Sequence, residues 1–155
     1  METRSPVNIL FVCTGNTCRS ALAEAVAKRV AERRGVKDVR VSSAGVSAWQ
    51  GAPASDGALL VGMERQLDLA AHRARVLTRD LVAEADLIFA MTSAHLEQVL
   101  ELGGRGKAHV LDEYSSPGAN MGGITDPFGG ERSVYRETAD LLEREIGKLF
   151  DRLER

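Results

Sequence analysis

Short apolar runs alternate along this chain with stretches in which apolar residues return every three or four positions. An uninterrupted apolar run between turn residues is typical of a buried strand, whereas the wider spacing is typical of an amphipathic helix. The last helical stretch is the clearest, because charged residues occupy the positions opposite its apolar ones. These patterns predict strands at 7–12, 39–41, 86–91 and 107–111, and helices at 21–34, 54–66, 93–102 and 133–155.

The alternation of strands and helices predicts an α/β fold. Strands connected through helices run parallel, and a parallel sheet is covered by helices on both faces. We therefore expect a single-domain three-layer fold with a four-stranded parallel sheet, spanning residues 1–155. The length of 155 residues and the apolar fraction of 44% suit one hydrophobic core. Ligands of such folds bind beyond the carboxyl ends of the strands.

Charge and composition exclude several classes of function. The net charge of -2 gives no general attraction to nucleic acid, and no apolar run approaches the length of a membrane span. Two cysteines suit a reducing cytoplasm better than a disulfide scaffold. Without clustered histidines, these cysteines also provide no tetrahedral metal site. We expect a cytoplasmic protein without cofactor or metal, and without nucleic-acid or membrane partners.

The most informative segment is the loop from Cys13 to Ser20, between the first strand and the first helix. Backbone N–H groups of such a loop, with the positive end of the helix dipole, bind a phosphate-sized anion. The same field stabilises a thiolate, so Cys13 is expected to be nucleophilic near neutral pH. Arg19 offers a planar fork to two phosphoryl oxygens, and Ser20 is placed to hydrogen-bond the Cys13 sulfur. The residues between them are expected to line the phosphate site: Thr14, Gly15, Asn16, Thr17 and Cys18.

Other interpretations of this loop fit less well. A Walker phosphate loop requires a Gly-Lys-Ser/Thr sequence, which is lacking here. Taken singly, Cys13 would suit a packing residue and Arg19 a surface cation. A cysteine with an arginine six positions later and a serine next, directly after a strand, instead favours covalent phosphate transfer.

A second segment, from Ile124 to Gly130, offers a proton donor for the leaving group. Pro127 biases Asp126 toward an extended backbone, and two glycines end the loop. The Asp126 carboxylate is therefore expected on a restrained loop rather than on a solvated helix face, which suits a general acid.

These segments resemble the low-molecular-weight protein tyrosine phosphatase family over nearly the whole chain. Residues 42–45 look like its second-strand turn, and residues 72–75 are similar to its short basic segment. The resemblance implies Cys13 as nucleophile, Arg19 as transition-state clamp, and Asp126 as general acid and then general base. It also implies a hydrogen-bond network that shapes the loop, formed by Asn16, Ser20, Ser43 and His72.

Thr17 points to one branch of this family. Tyrosine phosphatases usually carry Ile there, and the sequence from Asp126 to Gly130 also resembles that of bacterial protein-arginine phosphatases. The polar Thr17 suits the guanidinium of phosphoarginine, whereas Ile suits an aryl ring. Phe128 is expected to contact the substrate. The resemblance implies that Trp49 lines the pocket mouth, although its ring would equally suit packing.

The sequence thus predicts a phosphatase that hydrolyses protein phosphoarginine through a phosphocysteine intermediate. A tyrosine phosphatase is the alternative. An arsenate reductase needs a relay of thiols for which only Cys18 is available, and a binding module without turnover would lack the nucleophile or the acid, both of which are present. We expect a monomer acting on phosphorylated proteins, with Cys13 open to oxidation and Cys18 able to capture it as a disulfide.

Overall fold

The computed structural model describes residues 6–119 and 122–154. Strands and helices alternate through these residues. In chain order the elements are β1 (Val7–Cys13), α1 (Arg19–Arg33), β2 (Val39–Gly45), α2 (Asp56–Glu64), α3 (Arg79–Glu84), β3 (Leu87–Ala90), α4 (Ser93–Glu101), β4 (Ala108–Val110), α5 (Leu111–Ser115) and α6 (Arg132–Leu153).

The four strands form one parallel sheet in the order β2-β1-β3-β4. The chain therefore passes from β1 to β2 on one side and then crosses to β3 on the other side of β1. This reversal leaves a crevice beyond the carboxyl end of β1, which is where ligands bind in open α/β sheets. The predicted four-stranded parallel α/β fold is confirmed.

Two apolar layers sandwich the sheet, because successive side chains of a strand point to opposite faces. In β1, Ile9 and Phe11 belong to the larger cluster, while Leu10 and Val12 belong to the smaller one. The larger cluster includes buried residues of α1, α2, α5 and α6, and the smaller one those of α3 and α4. Helices thus cover both faces, as the alternation of elements predicts.

The prediction placed the end of β2 too early, at residue 41. The strand continues to Gly45 and pairs with β1 along its whole length, so residues 42–45 are strand rather than turn. Ser42 and Ser43 are polar and interrupt the apolar run, although Ser43 is buried. Because of these two polar residues, the apolar pattern did not predict the end of the strand.

Two short helices were missed altogether. α3 has six residues and α5 has five, which is too short for a recurring apolar spacing to stand out. α1 begins at Arg19 and α2 at Asp56, each two residues away from the predicted start. In α4, Thr92 is the N-cap, because its hydroxyl accepts a hydrogen bond from the backbone N–H of His95. No helix of the described residues is both long and apolar enough to span a membrane.

Candidate active site

The loop after β1 forms the floor of the site. Cys13 is the last residue of β1 and is buried, and Arg19 opens α1 six residues later. Cys18 is the N-cap residue of α1, but its side chain caps no backbone N–H group. The first N–H groups of α1 therefore lie beside the loop without a side-chain cap, as in helix ends that bind anions.

Asn16 organises this loop from behind. Its backbone φ is 58°, in the left-handed region that Asn tolerates better than most residues. Its side-chain Nδ2 donates to Ser20 Oγ and to Ser43 Oγ, both at 2.8 Å, and its Oδ1 accepts from the backbone N–H of Arg75 at 2.9 Å. The buried Asn16 amide thus ties the loop to β2 and to the segment before α3.

This network orients a hydrogen toward the Cys13 sulfur. Ser20 Oγ lies 2.8 Å from Cys13 Sγ, and it already accepts a hydrogen bond from Asn16. Its single hydrogen is therefore available to the sulfur, an arrangement that stabilises a thiolate. Ser43 Oγ accepts the other hydrogen bond from Asn16 and donates a hydrogen bond to Glu24 Oε1 at 2.6 Å.

The loop backbone is also held from outside. His72 Nε2 lies 2.6 Å from the backbone oxygen of Asn16. The backbone N–H groups of Val46 and Ser47 donate to Cys13 O and Thr14 O, both at 2.9 Å. Gly45 permits this close approach, because a Cβ at this position would lie 2.4 Å from Thr14 O.

Arg19 is buried and lines the same cavity as Cys13. Its Nη1 donates to the backbone oxygen of Ile124 at 3.1 Å, and its Nη2 donates to Thr14 Oγ1 at 3.3 Å. Nη2 also lies 3.5 Å from Asp126 Oδ2. The Nε–H group is buried and has no partner among residues 6–119 and 122–154. An unpaired donor on a buried cation is costly, and an anion in the loop would satisfy it.

Asp126 lies across the site on an exposed turn. Its side chain is 49% exposed, and its Oδ1 accepts from the backbone N–H of Phe128 at 3.0 Å. The backbone N–H of Gly130 closes the turn onto Pro127 O at 2.8 Å. The carboxylate is thus placed by a local turn and by Arg19, and it remains open to solvent.

A cavity of about 320 Å³ opens above the loop. Trp49 and Phe128 flank it with side chains that are 84% and 70% exposed. Ser47 and Ala52 also line it, and the sequence pattern did not single them out. Asn16, Ser20, Ser43 and His72 are not among the lining residues, which are Cys13, Thr14, Gly15, Thr17, Cys18, Arg19, Ser47, Trp49, Ala52, Asp126 and Phe128.

The Cys18 side chain contacts the N-cap of α2 and the first turn of α6. Its Sγ lies 3.1 Å from Ser55 Oγ and 3.6 Å from the Tyr135 hydroxyl. Burial raises the pKa of Tyr135, so this hydroxyl stays protonated and able to donate. Ser55 is the N-cap of α2 and donates its backbone N–H to Thr17 O at 2.9 Å, whereas Tyr135 comes from the first turn of α6. No cluster of metal-binding side chains is found in the described parts of the chain.

Several known phosphatases are similar to this chain in sequence or in structure. Residues 8–155 match the family model described as low molecular weight phosphotyrosine protein phosphatase. A protein-arginine-phosphatase of Bacillus subtilis is 40% identical over 151 residues, covering 96% of this chain and 98% of that protein. A low molecular weight protein-tyrosine-phosphatase of Staphylococcus haemolyticus is 38% identical, covering 92% of this chain and 97% of that protein.

Among solved structures, a mutant of the YwlE arginine phosphatase with a phosphorylated active site serine is similar, with a TM-score of 0.89 and 39% identity. The match covers 96% of this chain and 97% of that one. The family resemblance is confirmed over nearly the whole length of the chain. The chain is a cysteine-dependent protein phosphatase and belongs to the low molecular weight phosphotyrosine protein phosphatase family.

Proposed function

We propose that this chain hydrolyses phosphoarginine in proteins through a phosphocysteine intermediate. The observation that carries the proposal is a buried sulfur, hydrogen-bonded by Ser20, together with an Arg19 Nε–H that has no partner among the residues that the structure describes. Together they supply a nucleophile and a donor for the phosphoryl group that it attacks.

In the first step the Cys13 thiolate attacks phosphorus and an S–P bond forms. The P–N bond to the substrate guanidinium breaks, and its electron pair goes to the leaving nitrogen. Asp126, on the open side of the cavity, transfers a proton to that nitrogen, which leaves as part of a neutral or protonated arginine side chain. Arg19 and the loop N–H groups hold the charge on the phosphoryl oxygens.

In the second step Asp126, now a carboxylate, takes a proton from water. The water oxygen attacks phosphorus and the S–P bond breaks, releasing inorganic phosphate. The hydrogen bond from Ser20, at 2.8 Å, stabilises the departing thiolate. The 49% exposure of Asp126 gives water access to this carboxylate.

The ion pair between Arg19 and Asp126 links substrate binding to proton transfer. A phosphoryl dianion competes with Asp126 Oδ2, at 3.5 Å, for the Arg19 guanidinium. Once Arg19 binds the dianion, the Asp126 carboxyl is free to carry the proton for the leaving group. The ion pair with Arg19 thus holds Asp126 in place until the substrate phosphoryl group replaces it.

Two observations support phosphoarginine as the substrate, namely the polar residue in the cavity wall and the name of a similar protein. Thr17 lines the cavity with a hydroxyl where Ile would present only apolar surface. The Bacillus subtilis relative that is named a protein-arginine-phosphatase is 40% identical. Phosphotyrosine is the second candidate, because the exposed rings of Trp49 and Phe128 offer apolar walls to an aryl group. The monomeric state and cytoplasmic location stay predictions.

The test compares phosphate release from phosphoarginine and phosphotyrosine peptides of the same flanking sequence. We expect the wild type to prefer phosphoarginine and Thr17→Ile to shift kcat/KM toward phosphotyrosine, by about 10- to 100-fold in the ratio. Thr17→Ser, which keeps the hydroxyl, is the matched control and should keep the preference. A wild type that prefers phosphotyrosine, or a ratio that Thr17→Ile leaves unchanged, would reject the arginine assignment.

A further inference from the structure

A histidine outside the predicted site touches the phosphate loop from the α4 side. His95 lies in the first turn of α4 and is only 6% exposed. Each of its ring nitrogens lies within hydrogen-bonding distance of a hydroxyl group. Nε2 lies 2.8 Å from Thr14 Oγ1, and Nδ1 lies 2.9 Å from Thr92 Oγ1.

The Thr14 hydroxyl connects this histidine to Arg19. Arg19 Nη2 can only donate, so Thr14 Oγ1 accepts from it at 3.3 Å. The single hydrogen of Thr14 is then available to His95 Nε2, which accepts it if the imidazole is neutral and carries its proton on Nδ1. The Nδ1–H group in turn donates to Thr92 Oγ1. One neutral tautomer therefore satisfies every group in the series.

The electrostatic surroundings favour that neutral form. Burial and, to a lesser degree, the positive charge of Arg19 lower the pKa of His95 to about 4, against an opposing effect of Asp126. These two charged side chains come from the start of α1 and from the loop before α6. At neutral pH the imidazole adds no positive charge beside Arg19, and Nε2 remains an acceptor.

We propose that His95 is a positioning residue for Arg19, because it turns the Thr14 hydroxyl so that its lone pair faces the guanidinium. The inference rests on the proposed role of Arg19 in binding the phosphoryl group. With Nη1 held by Ile124 O and Nη2 by Thr14, the guanidinium keeps one orientation, and its Nε–H stays free for a phosphoryl oxygen. Without His95, the Thr14 hydrogen is free to rotate toward Arg19, where it repels the Nη2–H group.

The test replaces each partner and measures more than turnover. His95→Phe removes both hydrogen bonds and keeps a buried ring, whereas His95→Gln is the conservative variant that restores an acceptor toward Thr14. We expect His95→Phe to lower kcat for p-nitrophenyl phosphate by about 10- to 100-fold with a small change in KM, and His95→Gln to recover part of it. Orthovanadate, which mimics the transition state, should lose more affinity than inorganic phosphate.

Thr14→Val tests whether His95 acts through the hydroxyl, and Thr14→Ser, which keeps it, is its matched control. Thr14 is exposed, so this substitution leaves the core intact. If His95 acts through Thr14, the double variant His95→Phe/Thr14→Val is no slower than the worse single variant. Val99→Ala, a buried position on the same helix outside the loop, controls for loss of stability and should keep kcat.

Additive losses in the double variant, or equal weakening of orthovanadate and phosphate, would overturn the proposal. The proposal would also be overturned if Val99→Ala and His95→Phe had the same Tm and lost kcat to the same extent. Binding of orthovanadate and phosphate is measured by calorimetry without turnover. A wild type inactive on phosphoarginine would therefore reject the proposed substrate while the role of His95 is still decided.

Discussion

The two loops that face each other across the cavity are built differently. In the loop from Cys13 to Ser20, Asn16 and Ser20 are fully buried and hydrogen-bonded to side chains from β2 and within the loop. The turn that carries Asp126 is exposed, and its contacts are mostly its own backbone and Arg19. One side of the site is part of the core, and the other is part of the surface.

This difference matches what each loop has to do. In the proposed mechanism the phosphate loop stabilises charge in the transition state, and it does so best when its donors are already oriented before substrate arrives. In the same mechanism Asp126 holds a proton in one step and accepts one in the next, with water and product passing beside it. Exposure at Asp126 therefore serves the reaction, while exposure at Asn16 would harm it.

The largest expected effect is at the buried loop. Cys13→Ser should lower kcat by at least about 10⁴-fold while the protein still binds phosphate, because the nucleophile is lost and the N–H groups and Arg19 remain. Turnover is measured with p-nitrophenyl phosphate and binding by calorimetry. Cys18→Ser, in the same loop, should lose far less. Substantial turnover by Cys13→Ser would contradict covalent catalysis.

Oxidation should also distinguish the two sides, because only the buried loop contains thiols. Peroxide is expected to oxidise the Cys13 thiolate to a sulfenic acid, releasing water after proton uptake, and the Cys18 thiol then displaces a second water to form a disulfide. Activity falls nearly to zero and returns with dithiothreitol. In Cys18→Ser the recovery should be lost as oxidation proceeds further. If the activity of Cys18→Ser recovers as well as that of the wild type, Cys18 only packs against its neighbours and does not form the disulfide.

A smaller effect is expected on the exposed side. Asp126→Ala should lose about 10²- to 10⁴-fold in kcat on phosphoarginine, whose nitrogen needs a proton to leave. The loss should shrink on an activated aryl phosphate. Asp126→Asn keeps an acceptor for the Phe128 N–H but carries no transferable proton, so it should be as slow as Asp126→Ala. An Asp126→Asn enzyme with near wild-type kcat would mean that Asp126 only shapes the turn.

The smallest expected effect is on stability, measured as the Tm of a matched pair of glycine variants. Gly45→Ala places a Cβ 2.4 Å from Thr14 O, so backbone must move, and we expect a loss of about 3 kcal/mol. A Cβ at Gly129 would meet no atom within 4 Å, so Gly129→Ala adds only the backbone strain of a φ of 79°. It should lose about 1 kcal/mol. Each kcal/mol lowers Tm by about 2–4 °C at this size. Equal Tm values for the two variants would remove the distinction between the loops.

The strongest local patterns in the sequence were enough to predict the fold. The apolar run of β1 and the repeated spacing of α6 predict their elements within two residues, and the alternation predicts the parallel sheet. β2 was cut short because Ser42 and Ser43 belong to the site end of the strand. α3 and α5 are shorter than two helical turns and leave no periodic signal.

For the site, short motifs identified the residues on each loop but not those that join them. The structure brings Cys13, Arg19 and Asp126 around one cavity, while their roles stay predictions. Glu24 and His95 carry no motif, and Ser43 and Thr14, with which they form hydrogen bonds, lie many residues away along the chain. A residue whose function depends on a neighbour from another element has no signature of its own in the sequence.

The hydrogen bond from Arg19 to Ile124 O spans 105 positions, and the contact of Cys18 with Tyr135 spans 117. A nascent chain emerging from the ribosome therefore exposes its nucleophilic cysteine long before the segments that hold Arg19 and cover Cys18 are synthesised. Such distant contacts form late, because the intervening chain must first be ordered. The contacts that hold Arg19 and Cys18 therefore cannot all form until the chain has been synthesised as far as Tyr135.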